Sequence, residues 1–178
     1  MEMSKEPLSR QRSWRRLSLA ALGLLIVGLL AFGLSRAIRI SKRHVCQENL
    51  SAFEYAIRMY SIEENGFPSN PIDLIPTHVP NIQSLRLLMC PAVHHQKKDV
   101  SDGTDWGDYT YVNWSDYYED PEKVPADYPL MYDRALSNHD GRGINIARVD
   151  GMTFWDPGGA WLRDFAARHP EYDIPVPE

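Results

Sequence analysis

The chain has 178 residues, enough for about one domain plus an appendage. Its formal net charge of -5 supplies no global basic field, so a nucleic-acid partner is not expected. The charge is unevenly placed: residues 1–16 hold five Lys/Arg and two Glu, residues 36–43 hold four more Lys/Arg, and most of the acid follows residue 98.

Residues 1–16 are polar and basic and read as a cytoplasmic stub. Residues 17–35, LSLAALGLLIVGLLAFGLS, carry no charge and are flanked by Arg15, Arg16 and Arg36. About 20 apolar residues suffice for a helix to cross the hydrocarbon core. A cleaved signal peptide usually has a shorter apolar region followed by a small-x-small site. Here the run ends in the basic SRAIRISKRH, which favours an uncleaved single-pass anchor in the lipid bilayer. The short basic stub and large acidic remainder predict an inner-membrane protein with its N-terminus in the cytoplasm and its C-terminal domain outside.

Residues 36–65 are predicted to continue the helix beyond the membrane, because no Gly or Pro occurs from Arg36 to Glu64. Cys46, Leu50, Phe53, Ile57 and Tyr60 recur at steps of four and three, which makes one apolar stripe. Asn65-Gly66 then offers a left-handed cap and Pro68 blocks continuation. The remaining residues, 66–178, read as a globular head. Four prolines between 68 and 80 forbid a long helix, although Asn70-Pro71 could open a short turn over 72–75. Residues 83–89 could be extended or helical, and 94–108 read as a polar loop.

The period then changes to that of strands. YTYVNW (109–114) and LMYDR (130–134) are strand candidates. Residues 144–149 and 152–155 flank Asp150-Gly151, and a two-residue Asp-Gly loop predicts a type I′ hairpin. That register pairs Val149 with Met152, Ala147 with Phe154 and Ile146 with Trp155. Asn145, Ala147, Val149, Met152 and Phe154 would then share one face. A short helix over 160–168 and an extended tail close the chain. The fold class expected is α+β: one long N-terminal helix, membrane-spanning in its first half, packed on a small antiparallel sheet of three or four strands. Such a sheet needs an apolar partner, and the stripe ending at Tyr60 is the available one.

Several residues could carry chemistry. Cys46 and Cys90 could form a disulfide outside the cytoplasm, tying the middle segment to the helix, or remain two buried thiols. His44, Cys46, Cys90 and His94 or His95 could be assembled into a zinc site, but they lack paired structural-zinc spacing. Asp99, Asp102, Asp105 and Asp108 lie three apart in an acidic loop that could offer oxygens to calcium, without the EF-hand pattern. His139 and Asp150 are acid/base types, yet no hydrolase, metalloprotease, phosphate-loop or Cys-x-x-Cys motif accompanies them. Asp150 is accounted for by its turn, where Asp tolerates positive φ. The His139 ring would most simply hydrogen-bond neighbouring backbone or Asp133, and it is also a weak metal candidate. The expectation is no catalytic residue, no enzyme activity and no cofactor, with calcium the ion held possible.

CQENLSAFEYAIRMYSIEENGFP (46–68), CPA (90–92), YTYVNW (109–114) and MYDRALSNHDGRGINIARVDGMTFW (131–155) together resemble the pilin-like proteins of type II secretion, the pseudopilins. The resemblance is to a branch with large paralogous sets in planctomycete-type bacteria, and it covers about residues 15–156. The pattern matched is Cys-x-x-Asn-Leu, here Cys46, Asn49 and Leu50; a Gly-x-Pro exit; a Cys-Pro; and His139 followed after ten residues by Asp150-Gly151. The resemblance implies a pilin-like fold, structural roles for these residues, and assembly with other pseudopilin-like subunits or secretion-apparatus proteins. Some pseudopilins also bind calcium beside the sheet. The usual Gly-Phe-Thr-Leu-Ile-Glu leader junction is missing, which puts leader cleavage and polymerisation in question. A membrane-tethered module binding glycan, peptide or calcium through its aromatic and acidic loops is the alternative.

Overall fold

The structure is a computed structural model that describes residues 8–69, 74, 88–93 and 107–178, with side chains described from residue 19 onward. The chain divides into two compact units, Met1–Ile40 and Ser41–Glu178. In the first, α1 (Leu8–Glu64) is long and apolar enough to cross a membrane. Leu24, Leu29, Phe32 and Leu34 are all exposed there, so the protein itself gives these side chains no apolar cover.

The second unit contains the rest of α1, four strands and a second helix. The strands are β1 (Tyr109–Tyr111), β2 (Pro129–Asp133), β3 (Gly143–Arg148) and β4 (Thr153–Pro157). They form one antiparallel sheet in the order β1-β2-β3-β4, each strand pairing with its neighbour in sequence. The long N-terminal helix thus packs on a small antiparallel sheet, an α+β arrangement. The helix stops at Glu64 because Asn65 takes the left-handed conformation, φ 53°, without help from Gly66. Strand β1 is shorter than the β-forming run suggested. Trp114 opens a 3-10 turn instead, with the Asn113 side chain accepting from the Ser115 N–H.

The hairpin differs from the expected one by a single residue. Ile146 pairs with Phe154 and Ala147 with Thr153, not Ala147 with Phe154. The loop is three residues long. Gly151 donates to the Arg148 carbonyl at 3.1 Å and adopts φ 85°, while Arg148 N–H donates to Met152. This is a type I turn closed by a left-handed glycine, so Asp150 needs no positive φ. Asp150 instead accepts from the Met152 N–H at 3.0 Å and pairs with Arg148. The one-residue slip moves Phe154 to the face of Ile146 and Trp155 to the face of Asn145.

The sheet is covered on both faces, where the sequence supplied a partner for one. Tyr109, Met131 and Ala147 pack with Cys46, Leu50 and Phe53 of α1 and with Leu88 and Cys90. Tyr132, Ile144 and Ile146 pack with Leu162 and Phe165 of α2 (Ala160–Arg168), and with Trp114 and Ile174. The α1 stripe is divided between the clusters, for Ala56 and Ile57 join the second one. Asp156, itself buried, caps α2: its carboxylate accepts from the Trp161 and Leu162 N–H groups at 3.0 and 3.1 Å. A carboxylate there satisfies two of the orphan donors of a helix start.

Candidate functional site

Strand β2 delivers Asp133 to the α1-facing side of the sheet, and β3 places Asn145 beside it. Between these strands a 3-10 turn, Leu136–His139, ends on a left-handed Asp140, φ 58°. That turn sends the His139 ring back over the sheet. Asp133 and Asn145 are fully buried and His139 is nearly so. Asp133 Oδ2 accepts from the Asn145 backbone at 2.6 Å and from Asn145 Nδ2 at 3.0 Å. His139 Nε2 lies 3.1 Å from the same oxygen and 3.1 Å from Asn145 Nδ2. Trp155 stands edge-on to the imidazole, with ring centres 5.3 Å apart.

Cys46 and Cys90 close the cluster as a disulfide, Cα atoms 5.5 Å apart. One of the two readings left open by the sequence is therefore settled: no free thiols remain. Cys90 Sγ lies 3.6 Å from His139 Nε2. The bridge is supported by a second polar layer. Asn49 donates to the Met89 carbonyl at 3.4 Å and to the Tyr109 hydroxyl at 3.3 Å, so the helix holds both the middle segment and β1. Burial raises the Tyr109 phenol above its ordinary range, an effect the Asn49 hydrogen bond partly offsets.

The remaining sequence candidates fall elsewhere. Asp99, Asp102 and Asp105 lie outside the described residues, as do His94 and His95. Asp108 accepts from the Cys90 N–H at 2.7 Å, which fixes the chain next to the disulfide. His44 is exposed on α1 and lies outside the group of convergent donors around Cys46. Leu50 is fully buried. Asp150 and Gly151 sit at the hairpin tip, where a Cβ on Gly151 would come within 3.3 Å of the Glu54 carboxylate. Glu54 is buried on α1, and Arg58 meets it at 3.2 Å. Desolvation raises the Glu54 carboxyl above its ordinary value; Arg58 opposes the rise and Asp150 adds to it.

One group of aromatic residues is packed ring against ring. Trp114 donates to the Pro129 carbonyl at 2.9 Å and lies 5.1 Å, ring to ring, from both Tyr128 and Tyr172. The Tyr118 and Tyr172 hydroxyls share a hydrogen bond of 2.7 Å. A cavity of about 320 Å³ is lined by Ile57, Arg58, Ser61, Phe67, Leu130 and Val149 among others.

Two buried polar residues, Asn145 in the cluster and Asp156 at the start of α2, were not singled out in the sequence as site residues. Asn145 reads as an ordinary strand position, and the signal was its polar side chain within the apolar alternation of GINIAR. Asp156 carried no signal beyond standing just before Gly158-Gly159. No family model, curated protein or solved structure matches the chain.

Proposed function

We propose that this chain is a single-pass, membrane-anchored, pseudopilin-like structural subunit of a type II secretion-like or surface apparatus, and not an enzyme. The observation that carries the reading is the contrast along α1. Leu19–Leu34 are apolar and largely without cover, whereas Cys46, Leu50, Phe53 and Ile57 are buried against an antiparallel sheet. Uncovered apolar helix surface on this scale is stable in lipid and costly in water. In the proposed arrangement the N-terminus is cytoplasmic and the head lies outside the inner membrane, where the Cys46–Cys90 bridge persists. The head offers surfaces to other subunits of the apparatus, and the apolar helix segment supplies contacts between anchors.

The non-enzymatic part of the proposal draws on where the acid/base side chains point. Asp133, His139 and Asn145 bind one another and the disulfide behind the sheet. Among the described residues, the three polar contacts of the His139 ring fall on one nitrogen, unlike a relay in which the orienting carboxylate and the reacting atom occupy opposite nitrogens.

The test uses single cysteines placed between Leu19 and Leu34 in the full chain, cross-linked in native membranes with a short bifunctional maleimide. Multimers confined to one helical face are the expected result. Monomers at every position would overturn the assembly reading while leaving the anchor intact. Recovery of the intact chain in the soluble fraction would overturn the anchor itself.

A further inference from the structure

The donor atoms of Cys46, Cys90, Asp133 and His139 all lie within 4.8 Å of one another, and all four residues are buried. We propose that when the Cys46–Cys90 bond is reduced these four atoms form a tetrahedral zinc site, so that one position in the fold holds either a disulfide or a metal ion. The inference stands independently of the membrane reading above.

Three observations carry it. The first is convergence. A donor set of two thiolates, one imidazole and one carboxylate suits zinc, whereas calcium requires oxygen. Zinc bond lengths of about 2.3 Å to sulfur and 2.0–2.1 Å to nitrogen and oxygen make tetrahedral edges of about 3.6 Å for S···N and 3.3 Å for N···O. Cys90 Sγ to His139 Nε2 is 3.6 Å, and His139 Nε2 to Asp133 Oδ2 is 3.1 Å. The edge between the sulfurs must open to about 3.8 Å once the bond between them is broken, and every other edge already lies within 4.8 Å.

The second observation is the direction of the imidazole. A single ring nitrogen, Nε2, faces the sulfur and the carboxylate oxygen together. That is the disposition of a ligand, which offers one lone pair to one central point. The third is hydrogen-bond frustration in the disulfide form. Asn145 Nδ2 must face Asp133 Oδ2, because the flipped amide would set oxygen against oxygen. If Nε2 then carries hydrogen, it opposes the Asn145 amide donor; if it carries a lone pair, it opposes the carboxylate. Asp133 Oδ1 and Asn145 Oδ1 are also buried without a hydrogen-bond partner among the described residues. Buried polar groups left this way cost free energy. A cation among Nε2, Oδ2 and two thiolates removes the conflict, with Asn145 still donating to the ligating carboxylate from outside.

The chemistry balances with a dithiol as reductant. Two electrons pass from the dithiol, which becomes a cyclic disulfide, and its two hydrogens end on Sγ of Cys46 and Cys90. Zinc then displaces both thiol protons to solvent and takes the Nε2 lone pair and one Asp133 oxygen, leaving a site of net charge -1. Oxidation by an external disulfide runs the sequence backwards and releases the ion. In either state the 88–93 segment remains stapled to α1.

The experiment uses the full chain in detergent, reduced with excess dithiol, desalted anaerobically and titrated with Co²⁺ as a spectroscopic stand-in for zinc. The expected result is one equivalent of Co²⁺ giving intense visible bands of a tetrahedral ion and a near-ultraviolet thiolate charge-transfer band, both abolished by Zn²⁺. The oxidised chain should give neither. His139→Ala and Asp133→Asn should each weaken binding by more than the about 10–100-fold that outer partners alone are worth. Near-ultraviolet dichroism of the aromatic cluster, recorded on the same samples, shows whether the reduced chain is folded; if it unfolds, Zn²⁺ should restore the signal. A reduced chain with no tetrahedral spectrum and no recovery overturns the proposal. So does an unchanged spectrum in both variants, or equal binding by the oxidised chain.

Discussion

On the α2 side of the sheet, Trp114, Leu130, Tyr132, Ile144, Ile146, Leu162 and Phe165 close a cluster made of apolar and aromatic surface. On the α1 side, Met131 and Ala147 share the space with Asp133, His139, Asn145 and a disulfide. The α2 side is held by non-directional burial, which tolerates small shifts as long as volume is filled. The α1 side is held by a covalent bond and by polar groups that must meet specific partners. The difference lies in what each segment can bury. The stretch 88–93 fully buries Leu88 and Cys90 and packs Ala92 and Val93 only in part, and a bridge and a hydrogen bond from Asn49 anchor it. Helix α2 brings Leu162 and Phe165 and carries no covalent tie, only the Asp156 cap at its start.

Truncating the centre of the apolar side gives the largest expected effect. Trp114→Ala should cost about 3–5 kcal/mol, the usual loss for a buried aromatic, and should do so equally with the disulfide intact or reduced. Urea unfolding in both redox states measures it; a cost that depends on redox state would mean the two sides act as one core. Next is the bridge itself. Its cysteines are 44 residues apart, and replacing both with Ser should cost about 2–4 kcal/mol. Hydrogen exchange should rise most in residues 88–93 and least in α2. A uniform rise across the sheet would break the distinction between the two sides.

The α1 side was readable from local spacing in part. The stripe Cys46, Leu50, Phe53, Ile57 follows the helical period, and its period alone placed it toward the sheet. The Asp-Gly turn was visible, but its register was not, because two-residue and three-residue loops can contain the same residues. What decides between them is long-range. Phe154 must face Trp161, 5.3 Å away ring to ring, and α2 arrives only after the hairpin is complete. Asn145 was likewise hidden, since its polar role depends on Asp133 twelve residues earlier. The second layer over the sheet escaped for the same reason: α2 is a nine-residue helix whose partner strands carry no mark of which face it will cover.

Gly151 turns that register into a smaller test. At φ 85° an Ala is strained, and Gly151→Ala should cost about 1–2 kcal/mol. Asn, which accepts this conformation more readily, should cost less. Thermal unfolding of the two variants checks the order. If Ala and Asn cost the same, the crowding against Glu54 rather than the backbone angle dominates.

The smallest effect concerns Glu54, where α1 meets the hairpin tip. Its carboxyl is raised above the ordinary value chiefly by desolvation, with Arg58 opposing and Asp150 reinforcing. Between the ordinary and the raised value the folded chain binds more protons than the unfolded one, so stability falls as pH rises through that window and then levels off. Glu54→Gln keeps the shape and removes the titration. The variant should therefore gain on the parent as pH climbs through the window, by less than about 1 kcal/mol because Arg58 is a half-exposed partner. Chemical unfolding of both proteins across mildly acid to neutral pH gives the difference directly. A gap that moves against the variant as pH rises would mean the Arg58 pair outweighs desolvation. The α1 side would then gain from its buried charge at this point, which the geometry of an ion pair without an aligned hydrogen bond argues against.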